Sequence, residues 1–266
     1  MALASPAPAA TPSADPCGGP QRLLATADRP TVGYSTCAVA TGTAVFELGY
    51  QNQVNGTPAA GSVQSQLPQN FLRLGLAPLF ELDVVGPNQL RVRSYAPGLP
   101  GSTASGAADS GLGFKLELPP SARWGVAFDG LYLPPDGGTA FTSGSSTYTL
   151  NLDAGYSLTP TTSLGTTVAL SAAGGFASDG THARYGLLEP SFVATQRLPN
   201  AVQLYGEYVF VSKLAPDLGG RAFADFGVQK LLGQRTEVDV EYGHAFTAVP
   251  ALRFDYLGAG LVIQLR

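Results

Sequence analysis

The stretch Tyr148-Thr149-Leu150-Asn151-Leu152-Asp153-Ala154-Gly155-Tyr156-Ser157-Leu158 alternates without a break. Tyr148, Leu150, Leu152, Ala154, Tyr156 and Leu158 share one face of an extended chain, and Thr149, Asn151, Asp153, Gly155 and Ser157 share the other. Side chains of a strand point alternately to opposite sides, so one side here is apolar throughout and the other polar throughout. The segment Thr236 to Phe246 repeats the pattern with more charge. Val238, Val240, Tyr242 and Phe246 fall with Thr236 and His244, whereas Glu237, Asp239 and Glu241 fall with Gly243 and Ala245. Three acidic residues on one face are hard to bury in a dry sandwich core; a hydrated lumen accepts them.

Working outward, the alternation places strands near 43–52, 64–76, 79–86, 110–118, 123–133, 145–158, 162–172, 184–197, 201–212, 221–231, 234–246 and 252–265. Outward sets include Phe46, Leu48 and Tyr50; Leu72, Leu74 and Leu76; Leu112, Phe114, Leu116 and Leu118; Trp124, Val126 and Phe128; Val202, Leu204, Tyr208 and Phe210. The inward positions expected to line a lumen are Glu47, Arg73, Glu81, Asp83, Lys115, Glu117, Asp129, Asp153, Glu189, Arg197, Glu207, Asp225, Glu237, Asp239 and Glu241. The fold class this predicts is all-β: an antiparallel, up-and-down transmembrane barrel of about twelve strands, preceded by an irregular leader.

Bulk composition agrees. Of the 266 residues only 13% are charged while 44% are hydrophobic; a typical soluble domain has about 25% charged residues. A body whose outside faces lipid needs few charges. No run approaches the roughly 18 to 20 apolar residues of a membrane helix, so a spanning chain must close into a barrel to satisfy every backbone polar group. A net charge of −4 gives no reason to expect a nucleic-acid partner.

The connections carry a separate signal. Ala77-Pro78, Pro119-Pro120-Ser121, Leu158-Thr159-Pro160-Thr161, Leu198-Pro199-Asn200 and Leu232-Gly233-Gln234 are tight, whereas 87–109 and 134–144 are long and rich in Gly and Ser. Bacterial outer-membrane barrels have an even strand count, short periplasmic turns and longer outer loops. This phase puts both termini in the periplasm. Trp124 then falls at the periplasmic rim and Tyr50, Tyr132 and Phe246 toward the outer one, where aromatic girdles sit. The last strand, with Leu257, Ala259, Leu261, Ile263 and Leu265 alternating, resembles the terminal signal read by the barrel-assembly machinery, although the chain ends Leu265-Arg266 rather than on an aromatic residue.

Residues 1–41 read as an irregular periplasmic leader and 42–266 as the barrel. Met1 to Ala10 lacks a basic n-region and an apolar core, so it is not a whole signal peptide. Both cysteines, Cys17 and Cys37, lie in the leader. Without CxxC spacing or a His cluster a zinc site is not expected. A disulfide formed in an oxidising periplasm is favoured over free thiols, pinning the leader as a cap or a plug.

Several pieces, in order, resemble the Putative MetA-pathway of phenol degradation family, a group of outer-membrane barrel transporters. They are Asp28-Arg29-Pro30-Thr31-Val32 followed by Ser35-Thr36-Cys37; Val45-Phe46-Glu47-Leu48-Gly49-Tyr50-Gln51; Phe71-Leu72-Arg73-Leu74-Gly75-Leu76 running into Phe80-Glu81-Leu82; Leu112-Gly113-Phe114-Lys115; Pro190-Ser191-Phe192; and Asp255-Tyr256-Leu257-Gly258-Ala259-Gly260-Leu261. The resemblance spans most of 28–266 and implies transport linked to aromatic compounds, with no catalytic residues to carry over.

The residues point to no cofactor, no metal and no enzyme. A surface lipid hydrolase would need a Ser–His pair with an orienting group. His182 lies in a loop segment and His244 near the outer end of a strand on its outward face, so only His244 is a candidate. The leading expectation is a passive channel for small, aromatic or hydrophobic solutes in contact with outer-membrane lipid. The alternative is a structural or surface-interaction barrel whose inward charges pair and fill the lumen. About twelve strands lies between barrels filled by side chains and those with an aqueous channel.

Overall fold

The computed structural model describes residues 17–19 and 21–265; Met1 to Ala10, read above for an export signal, lies outside them. A short helix, α1 (Arg22–Thr26), is followed by fourteen strand segments in one sheet. They are β1 (Ala44–Gly56), β2 (Gly61–Ala77), β3 (Phe80–Val85), β4 (Gln89–Tyr95), β5 (Ser102–Ala107), β6 (Gly111–Glu117), β7 (Trp124–Leu133), β8 (Thr147–Ser157), β9 (Thr162–Phe176), β10 (His182–Leu198), β11 (Val202–Ala215), β12 (Leu218–Leu231), β13 (Thr236–Phe246) and β14 (Phe254–Leu265). All pairings are antiparallel. β1 pairs with both β2 and β14, which closes the sheet into a barrel; among the described residues only the outer edge of β5, which pairs with β4 alone, has no strand beside it.

Fourteen segments make twelve barrel strands. β2 pairs with β3 over one half of its length and with β4 over the other, so β3 and β4 are two pieces of one strand. The break is Gly86-Pro87-Asn88, where Gly86 takes φ +69° and Pro87 has no N–H to give a ladder. β5 and β6 are likewise one strand broken at residues 108–110, pairing with β4 and β3. The expected long loop over 87–109 is therefore corrected: most of it is a hairpin that prolongs the wall, with a tip at 96–101. The break at Pro87 and the small, polar residues Ser102-Thr103-Ala104-Ser105 hid its alternation. The other long link, 134–146, is irregular apart from turns.

The alternation sorts side chains as the pleat requires. Leu150, Leu170, Phe192, Phe226, Val240 and Leu257 stand exposed on the outer surface and form a continuous apolar belt. Such a surface is stable only against hydrocarbon or a partner. Trp124 meets Tyr156 at 4.5 Å between ring centroids near one end of the wall, and Tyr132 meets Tyr148 at 5.2 Å near the other, the level at which interfacial aromatics sit.

Candidate functional site

The barrel interior holds the segment 21–43. Asp28 and Arg29 donate their backbone N–H groups to the Glu47 carboxylate on β1, at 3.1 and 2.9 Å. Val32 and Gly33 donate to Glu207 on β11, at 2.7 and 2.8 Å. Tyr34 N–H reaches the Thr167 hydroxyl on β9, Ala38 N–H reaches Glu117 on β6, and Val39 N–H reaches Glu81 on β3. Only a chain lying inside the cylinder can touch strands spread around its whole circumference. An irregular buried segment has no ladder for its N–H groups, so the wall must supply acceptors. Carboxylates serve well, because a hydrogen bond to a charged group contributes about 1.5–3 kcal/mol.

Two adjacent leader residues carry opposite charges to opposite partners. Buried Asp28 faces the basic residues of β2 and β6: Lys115 Nζ donates to its two oxygens at 3.0 and 3.1 Å, and the Arg73 guanidinium lies 3.2 Å away. Arg73 also bonds Glu81 and Glu47, the Thr26 carbonyl and, at 3.2 Å, the Cys37 carbonyl. Arg29 turns to the acidic strand β13, 3.4 Å from Asp239 and 3.5 Å from Glu241, and donates to Gln69 at 2.8 Å. It lies over Gly49 and Gly260, which pair across β1 and β14; a Cβ at either would overlap the guanidinium group. At the end of the barrel where β1 begins and β14 ends, Leu23, Leu24, Ala27 and Val39 pack with Val45, Leu231 and Val262. Cys17 is bonded to Cys37, S–S 2.05 Å, which ties the entry of the segment to its exit.

Of the expected lumen residues, Glu47, Arg73, Glu81, Asp83, Lys115, Glu117, Asp129, Asp153, Glu207, Asp225, Glu237, Asp239 and Glu241 are buried, while Glu189 and Arg197 are half-buried. The hydrated surroundings expected for the acidic face of β13 are thus corrected. Its carboxylates lie against Arg29 and Gln229, not open water. The leader also differs from the irregular chain expected, since it includes α1.

Sequence reading missed an apolar interior wall. Val209, Val211, Phe223, Ala245, Phe254 and Tyr256 cluster with Val32 of the leader. Phe223 and Phe254 stand edge to face at 5.3 Å, and Arg221 lies over the Phe254 ring at 4.2 Å. The signal was present: Phe223 shares parity with Asp225, and Val209 with Glu207. On the other side of the leader lies a half-open chamber of about 730 Å³ between the segment 18–37, the wall of β7 to β12 and the turn at 158–161.

The histidines stand outside this interior. His182 is the first residue of β10, not a loop residue, and its ring meets the Ser143 carbonyl at 3.1 Å. His244 is exposed, with Nδ1 2.8 Å from Asp255, which also accepts from the Tyr242 hydroxyl. Among the described residues no serine hydroxyl is hydrogen-bonded to His244.

Residues 27–262 match the family described as Putative MetA-pathway of phenol degradation. The chain belongs to this family. No curated protein matches the sequence. Among solved structures, the family member resembles the COG4313 outer membrane channel from Pseudomonas putida F1, with a TM-score of 0.67 and 13% identity over 86% of this chain and 97% of that one. It also resembles the NanC porin, TM-score 0.53 and 10% identity over 81% and 98%. The translocator domain of the autotransporter NalP from Neisseria meningitidis gives TM-score 0.54 and 10% identity over 84% and 88%. Identities this low establish a shared fold, that of outer-membrane β-barrels.

Proposed function

We propose that the protein is an outer-membrane channel for small aromatic or hydrophobic solutes whose lumen is occupied by its own leader. Residues 1–41 act as the plug and 42–266 as the conduit, with both termini in the periplasm. The observation that carries this reading is how the leader is held. Among the described residues, no backbone–backbone hydrogen bond joins 17–39 to a strand, while the wall closes its ladder without it. Such a segment can leave without unfolding the barrel. Its departure would leave the inward charges named above lining a passage, with the Phe223–Phe254–Tyr256 wall at one end to accept an apolar ring. The family description and the channel and porin neighbours support the same class of activity, and nothing in the interior geometry calls for a catalytic step.

The test is planar-bilayer recording on the full chain and on a variant lacking residues 1–41. The expected result is small or rare conductance for the first and a steady, larger conductance for the second. A leaderless barrel that runs as folded on a heat-modifiability gel and never conducts supports a second reading, a structural barrel. What favours that reading is the filled interior around Arg73 and Lys115.

A further inference from the structure

The chamber of about 730 Å³ has a charge that the rest of the interior does not. Three arginines, Arg29, Arg123 and Arg197, line it, and among the described residues no Asp or Glu does. This holds in a chain with 19 acidic and 15 basic residues, whose other interior surfaces are crowded with carboxylates. Arg29 is committed to Asp239, Glu241 and Gln69, and Arg123 sits exposed at the mouth beside the Tyr156 hydroxyl. Arg197 is different. Its backbone N–H donates to Thr161 and its carbonyl accepts from Gln196, but its guanidinium meets no acceptor among the described residues. It is half-buried at the inner wall of β10. A partly desolvated guanidinium with open donors is a fork shaped for two oxygens of one anion.

The space beside it is equally specific. Gly125, Gly155 and Gly165 pair with one another across β7, β8 and β9, and the leader's Thr36 packs over the first two and Val193 over the third. Thr195, two residues from Arg197 on the same face, shares a hydrogen bond of 2.6 Å with Ser163. Hydroxyls beside a guanidinium that meets no acceptor among the described residues suit a small ligand that ends in a carboxylate.

We propose that this chamber is a binding site for small organic carboxylates, with Arg197 as the carboxylate clamp and the Ser163 and Thr195 hydroxyls beside it. The site opens toward the turn at 158–161, on the periplasmic side in the orientation given above, so it would hold a solute at the inner end of the passage. The proposal deepens the channel reading and rests on it for its biological meaning, while the binding itself is separable from transport.

The experiment measures calorimetric binding of benzoate and of benzyl alcohol to the full chain in detergent at neutral pH. The proteins are the wild type, Arg197→Gln and Arg197→Lys, each shown folded by heat-modifiable migration. Wild type is expected to bind benzoate roughly tenfold or more tightly than benzyl alcohol, the discrimination of one charged hydrogen-bonded pair. Arg197→Gln removes that preference and leaves benzyl alcohol unchanged; Arg197→Lys, a point charge without the fork, falls between. Equal binding of the two ligands by wild type, no binding of benzoate, or an unchanged benzoate affinity in both variants overturns the proposal. Binding as expected in a protein whose leaderless form never conducts would overturn the channel reading and leave this site standing.

Discussion

The wall and the leader are built by opposite means. In β8, the backbone is satisfied by β7 and β9 along its length and the outward side chains are apolar. In the segment 28–39 nothing is periodic, and the backbone is satisfied one N–H at a time by Glu47, Glu81, Glu117 and Glu207. The wall is a ladder whose bonds come and go together. The leader is a set of separate charge-assisted bonds and ion pairs, each losable without disturbing the ladder. On the proposed reading of the leader as a plug, this division lets the passage change state while the barrel stays in its membrane.

The comparison breaks most severely at Asp28. Asp28→Ala strips the shared partner of Arg73 and Lys115 and leaves two buried cations less compensated. Removing one member of a buried ion pair costs about 3–5 kcal/mol. The expected outcome is release of the leader, read as increased conductance, with heat-modifiable migration unchanged. The complementary change is Leu152→Arg at mid-strand on the lipid face of β8. It should lower barrel stability by about 2–4 kcal/mol, measured by denaturant unfolding in lipid, without specifically freeing the leader. The smallest effect is at Glu207→Gln, whose carboxamide keeps one acceptor oxygen for Val32 or Gly33 and turns an NH2 donor toward the other N–H. One buried donor left unsatisfied costs about 1–3 kcal/mol, which should appear as a modest rise in open probability.

The wall was legible because its physics is local in sequence. The parity of Leu150 and Asp153 follows from the pleat alone, and a closed barrel follows from repeating it. The β4–β5 hairpin was not legible because Pro87 interrupts the strand and the following small residues carry no apolar face. The leader was legible as an irregular, cysteine-pinned segment but not as an occupant of the lumen, since its partners are remote: Arg29 reaches Asp239, 210 positions away. The inward charges could be read as a set, yet their pairing could not, because it depends on which leader atom stands before each. The inner aromatic wall was missed for a simpler reason. Charged residues were taken as the mark of the inward face; Phe223 points inward with the parity of Asp225 without being charged, and on β14 the charged Asp255 is exposed on the outer face while Phe254 and Tyr256 point inward.

Hydrogen exchange of the full chain in lipid or detergent tests the central claim most directly. The account predicts that the amides of Asp28, Arg29, Val32, Gly33, Ala38 and Val39 exchange far more slowly than a free peptide, yet clearly before those of β8 and β13, because the leader opens while the wall stays closed. Leader amides exchanging as fast as a free peptide would show that the segment does not occupy the lumen. Leader amides exchanging only together with the wall strands would show that it cannot leave without unfolding the barrel.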